Sequence, residues 1–104
     1  MKSDRVLGML GLCARARKLT AGSALSSDAI ARGAYLAIVS SDASDNTRKR
    51  INDKCSFYGC RCLEAGFTSA EIGHAIGKSG TVAAVAVNDP NFADALVRLC
   101  VVEE

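Results

Sequence analysis

Lys18 to Val39 reads KLTAGSALSSDAIARGAYLAIV, and the order of residue types within it decides the fold. Lys18-Leu19-Thr20-Ala21-Gly22 is short and mixes polar with apolar residues, as in a turn or a very short strand. Ser23 stands where an N-cap belongs, opening a helix that runs through Ile30 and Arg32 and is closed by Gly33 at the C′ position. Tyr35-Leu36-Ala37-Ile38-Val39 is then an unbroken apolar run of strand length, the signature of a strand buried on both faces.

Reading outward, residues 4–17 place Val6, Leu7, Leu10, Cys13 and Ala14 at helical spacing. Downstream, Ser40-Ser41-Asp42-Ala43-Ser44 leads into a helix with Thr47, Ile51, Cys55 and Tyr58 on its inward face, stopped by Gly59. Cys60 to Glu64 reads as a short strand. Thr68-Ser69-Ala70-Glu71 is a capping box that opens a helix ending near Gly77. Thr81 to Val87 is a second fully apolar strand, and Asp89-Pro90 supplies an N-cap and an N1 proline for a last helix burying Phe92, Leu96 and Leu99. Helices therefore alternate with strands. Such alternation predicts an α/β fold, a three-layer α/β/α sandwich around a mostly parallel sheet. No linker or repeat interrupts it, so residues 1–104 are expected to form one domain.

Composition agrees with a small globular chain. Of the 104 residues 49% are apolar and 23% charged, too apolar for disorder, and no apolar run approaches the roughly 18 residues of a membrane span. Asp4 sits beside Lys2 and Arg5 in an N-terminus that does not resemble a signal peptide, so the cytoplasm is the expected compartment and no membrane partner is expected. The net charge of +2 is unevenly divided: residues 1–54 carry +5 and residues 55–104 carry −3. A basic half suits an anionic partner such as nucleic acid, and it also suits plain solvation of helices.

Several motifs fail on inspection. Gly73-His74-Ala75-Ile76-Gly77-Lys78-Ser79 has three residues between its glycines where a phosphate-cradling loop needs four, and it leaves a helix rather than entering one. Asp42, Asp45 and Asp53 follow a strand as magnesium ligands would, but Asp42 and Asp45 stand where a helix N-terminus attracts acidic residues anyway. His74 has no nucleophile at a recognisable spacing. The five cysteines, Cys13, Cys55, Cys60, Cys62 and Cys100, match no zinc pattern and lie in apolar settings, as small buried thiols do. No catalytic residue, metal, cofactor or small-molecule substrate is expected.

The stretch from Lys18 to Arg32 carries more. A glycine followed by a helix N-terminus presents unpaired backbone N–H groups to a phosphate or a splayed nucleotide, and Arg15, Arg17 and Lys18 lie just before it. Lys78-Ser79-Gly80 forms a second flexible loop. KLTAG-SALSSDAIARG-AYLAIVSSDAS, with DKCSFYGCRC, SAEIGHAIGK and VAAVAV, resembles the ribosomal protein L-seven-Ae superfamily. Within it the likeness is to the small bacterial YlxQ-type, ribosomal-protein-like branch, and it spans roughly residues 5 to 100. The resemblance implies a sandwich with a mixed four-stranded sheet and binding of structured RNA, in many members kink-turns.

Kink-turn binders of the family open the helix after the glycine with G-[TS]-N-E-x-x-K. Gly22 and Ser23 match, but Ala24 and Leu25 replace the Asn and Glu, and Asp28 replaces the Lys. Alanine and leucine cannot hydrogen-bond guanine edges, a loss of roughly 1–3 kcal/mol per bidentate contact, and Asp28 repels phosphate. The chain is thus expected to bind kink-turns poorly or to bind another RNA shape. Its RNA surface would comprise Arg15, Arg17, Lys18, Gly22, Ser23, Ala24, Leu25 and Asp28, with Gly77, Lys78, Ser79, Gly80 and Thr81 from the second loop. Ribosomal RNA is the expected partner, with other ribosomal or RNA-processing proteins as further ones. The alternative is a protein-interaction module on the same fold, which Leu25 at a base-reading position would suit.

Overall fold

The computed structural model describes residues 2–64 and 66–102; Met1, Ala65 and residues 103–104 of the expected domain lie outside them. Helix α1 spans Lys2–Arg15, strand β1 Leu19–Ala21, helix α2 Ser23–Ala31, strand β2 Leu36–Val39 and helix α3 Asp45–Tyr58. Strand β3 follows at Arg61–Glu64, then helix α4 at Ser69–Ala75, strand β4 at Ala84–Val87 and helix α5 at Pro90–Val102.

The sheet order is β1-β4-β2-β3. β2 and β3 run parallel, with Leu36 opposite Arg61, whereas β4 is antiparallel to both of its neighbours, β1 and β2. The sheet is therefore mixed, as the family resemblance implied, and alternation alone misjudged it as mostly parallel. The cause lies after α4. That helix has only seven residues, about 10 Å of rise, and the chain then doubles back along it. Val82 N–H donates to Ser69 O (3.0 Å) and Ser40 N–H donates to Ala83 O (2.8 Å). The chain so returns to the carboxyl end of β2, and β4 must run antiparallel to it. The same return keeps Thr81, Val82 and Ala83 out of the strand expected to begin at Thr81.

Side-chain alternation along the central strands sorts the core into two layers. Leu36 and Ile38 of β2 join Val85 and Val87 of β4 beneath α1, α4 and α5, where Val6, Leu10, Ile72 and Leu96 are buried. Ala37, Val39 and Ala84 face the other way, against Ile30 of α2 and Ile51 and Cys55 of α3. Each fully buried Leu or Ile contributes about 1.5–3 kcal/mol, so the larger first layer carries most of the stability. The small alanines let α2 and α3 approach the sheet closely. Helix ends follow their sequence signals: Ala34 N–H donates to Ala29 O across Gly33 (3.0 Å), and Thr68 and Glu71 form the expected capping box. Tyr58 departs from expectation, since it lies exposed rather than inward. It follows the last inward residue of α3, Cys55, and the helix ends before any element covers it.

Candidate nucleic-acid interface

Strands β1, β2 and β3 end, and β4 begins, at one edge of the molecule, so α2, α3 and α4 all start there. Gly22 organises this end. Its φ of +100° suits a residue without a β-carbon. Its N–H donates to Ala84 O (2.9 Å), and its carbonyl accepts the first helical hydrogen bond, from Ser26 N–H (2.9 Å). Gly22 is thus the N-cap of α2, and Ser23, expected in that role, is the first helical residue.

Gly22 has no side chain to cap with, and α2 makes no side-chain cap hydrogen bond. The helices that follow differ. Ser44 accepts from Thr47 N–H in α3 (3.2 Å), Thr68 from Glu71 N–H in α4 (3.1 Å), and Asp89 from Phe92 N–H in α5 (3.0 Å). The first-turn N–H groups of α2 are therefore left facing outward at the positive end of the helix dipole, the arrangement that takes a phosphate. Ser23 is half-buried beside them, while Ala24 and Leu25 are exposed.

The second loop meets this helix at one end only. Buried Ser26 donates its hydroxyl to Ala84 O (3.3 Å) and approaches Thr20 O (3.4 Å), fastening α2 to β1 and to the entry of β4. The chain from Thr81 to Ala84 consequently arrives beside Gly22. Gly77 and Lys78 instead close the far end of α4, where Lys78 N–H donates to Gly73 O (2.8 Å). Gly80 then passes so near Gly73 that a β-carbon there would stand 2.1 Å from Gly80 O. All five residues, Gly77, Lys78, Ser79, Gly80 and Thr81, are exposed.

Arg15, Arg17 and Lys18 are exposed too, but β1 separates them from Gly22. Lys18 O accepts from Asn88 N–H (2.7 Å) at the exit of β4, so the basic cluster lies at the opposite end of a three-residue strand, about 10 Å away. Proximity in sequence had joined them into one patch; the extended backbone of β1 sets them apart along one edge of the sheet. Arg17 terminates α1 with a positive φ of 60°, while Lys18 N–H reaches back to Cys13 O (3.0 Å). A left-handed arginine costs about 1–2 kcal/mol relative to its ordinary conformation. Asp28 is exposed one turn along α2, in an open groove of 540 Å³ that also touches Leu25, Tyr35 and Asn88.

The structural roles of three residues, Ser26, Gly73 and Asp42, do not follow from the sequence pattern. A hydroxyl four residues after Gly22 and a glycine inside α4 were the available signals. Asp42 stands in sequence just before α3, yet its carboxylate accepts from Ser69 N–H (2.8 Å) and Ser69 Oγ (2.9 Å) at the start of α4. Those bonds, the backbone one foremost, hold the Asp42 carboxyl below the usual carboxylate range. Arg48 pairs with Glu64 and reaches Ser41 O (3.3 Å), which ties the loop after β2 to β3.

Cys13 and Cys55 are buried as expected, while Cys60, Cys62 and Cys100 are only half-buried. Burial foremost pushes the Cys13 thiol up to about 11. Among the described residues no group of three or more His, Cys, Asp or Glu is placed to hold a metal ion, and no helix is long and apolar enough to cross a membrane.

No protein-family model matches the chain. The RNA-binding protein YlxQ of Bacillus subtilis (strain 168) is 39% identical over 92 residues, 88% of this chain and 90% of that protein. The RNA-binding protein YlxQ of Enterococcus faecium is 38% identical over 86 residues, 82% of each. Among solved structures, a Bacillus halodurans protein of unknown function superposes with a TM-score of 0.85 at 36% identity, covering 91% of this chain and 95% of that one. The 15.5kD RNA binding protein of Giardia lamblia, at 16% identity, shares the fold with a TM-score of 0.77 over 95% of this chain and 84% of its own. With relatives of this identity matched along most of its length, the chain belongs to the YlxQ family.

Proposed function

We propose that the protein is a non-enzymatic, ribosomal-protein-type RNA-binding protein of the cytoplasm, built as one domain, and that ribosomal RNA is its structured partner. The observation that carries the reading is the uncapped start of α2 at Gly22, hydrogen-bonded to Ala84 where the second loop enters β4. Backbone N–H groups there take a phosphate, Arg15, Arg17 and Lys18 follow the RNA along β1, and Lys78 meets it from the other loop. The YlxQ relatives carry RNA binding in their names, which supports the same assignment. Ala24, Leu25 and Asp28 offer no donors for guanine edges, so the protein reads RNA shape more than kink-turn bases.

Binding of a structured ribosomal RNA fragment, titrated at several salt concentrations, tests this. Affinity should fall steeply as salt rises, because each neutralised phosphate releases counterions. A Lys18→Glu plus Lys78→Glu variant should bind much more weakly; unchanged binding would remove these residues from the site.

A second reading rests on Leu25, 60% exposed beside the groove on α2: the face would hold a protein partner. Capture from lysate with and without ribonuclease separates the two, since partners retained after nuclease treatment favour the second.

A further inference from the structure

Helix α3 turns an aromatic and basic stripe outward. Arg50, Asp53, Lys54, Phe57 and Tyr58 recur at helical i, i+3, i+4, i+7 and i+8 spacing and line one open groove of 420 Å³. Phe57 is 81% exposed and Tyr58 47%, although a phenylalanine on a helix surface gains nothing from the core. The two rings meet edge to face with centroids 4.9 Å apart. Lys54 Nζ stands 5.7 Å from the Tyr58 ring centre, within cation–π range. Lys49 adjoins the stripe and Arg61 follows the helix, both exposed.

We propose that this stripe is a second RNA contact, in which an unpaired base stacks on Phe57 while Arg50 and Lys54 hold the adjoining phosphate. The proposal rests on the RNA-binding reading above and adds a site to it. Charge selects the occupant: aromatic faces interleaved with cations fit a polyanion carrying planar bases. Two rings among charged side chains do not make the broad apolar centre of a protein interface. Asp53 repels phosphate, so the RNA backbone runs on the Arg50 and Lys54 side and leaves the base over Phe57. Phe57 lies near the end of the 14-residue helix, about 18 Å from its start, and α3 starts at the same edge of the molecule as α2. One folded RNA with a single-stranded extension can therefore touch both surfaces, and each surface can be removed alone.

The test is fluorescence anisotropy with a labelled single-stranded dodecaribonucleotide, repeated with the structured ribosomal fragment. Phe57→Ala should weaken single-stranded binding about tenfold, the scale of one stacked base. Phe57→Tyr should restore it and Phe57→Leu should not. Arg50→Gln plus Lys54→Gln should lower the salt slope by about 1.4, as two single-strand phosphate contacts require. Melting curves of these exposed-site variants should match the parent. Single-stranded affinity unchanged in Phe57→Ala, or equal in the Leu and Tyr variants, overturns the second contact while leaving the first surface intact. Failure of the parent to bind either RNA overturns both readings together.

Discussion

The carbonyl oxygen of Gly80 passes 2.1 Å from the position that a β-carbon on Gly73 would occupy. The missing β-carbon lets the loop after α4 lie against its own helix, where Lys78 N–H donates to Gly73 O and Val82 N–H to Ser69 O, so that the chain returns to Gly22. Gly73→Ala must push backbone away from backbone. Overpacking of this kind costs about 1–3 kcal/mol, and RNA affinity should fall with it because Ser79 to Thr81 shift. Thermal melting alongside RNA titration checks both effects; a variant with parental stability would show that the loop yields freely.

Ser26 is the other fastening. Its buried hydroxyl serves Ala84 O and Thr20 O, and Ser26→Ala removes it without adding bulk. Losing a buried hydrogen bond costs about 1 kcal/mol, which in a chain of this size lowers Tm by about 4–8 °C. Calorimetry measures it directly.

Arg17 holds a positive φ of 60° at the end of α1, a place that glycine occupies at less cost. Arg17→Gly should raise stability by about 1 kcal/mol and yet weaken RNA binding, lowering the salt slope by just under one. Opposite signs in the two measurements mark a side chain kept for its ligand. A gain in stability with unaltered binding would take Arg17 out of the interface.

Acid unfolding should report on Asp42. Its carboxyl sits below the ordinary value of 3.8 because Ser69 donates to the ionised form, so the folded state binds that proton less readily than the unfolded one. The stabilisation is present above pH 3.8 and disappears as pH falls through the lowered folded value. Asp42→Asn should be less stable than the parent at pH 7, and the difference should shrink toward pH 2. Urea midpoints across that range provide the comparison.

Local signals were legible wherever a residue acts through its own neighbours. The capping box at Thr68, the proline start at Pro90 and the closing role of Gly33 all follow from short-range chemistry. β4 was misjudged because its direction depends on the loop doubling back at Gly73, a contact with no sequence period. Ser23 was read as the cap because hydroxyl residues favour that position, whereas Gly22 takes it through a conformation that only the bond to Ala84 explains. The layout of the candidate site was not legible: β1 is extended, so Arg17 and Lys18 stand apart from Gly22. Phe57 carried no warning, since a helix end reads alike whether or not another element covers it.

In the proposed function, RNA sits on the uncapped start of α2 and the neighbouring loop. Backbone amide chemical shifts recorded while a structured ribosomal RNA fragment is added test it most directly. The largest changes should fall on Gly22 to Leu25 and Ser79 to Ala83, with smaller ones at Arg15, Arg17 and Lys18. Changes confined to α1 and α5, with the amides of Gly22 to Leu25 unmoved, would contradict it.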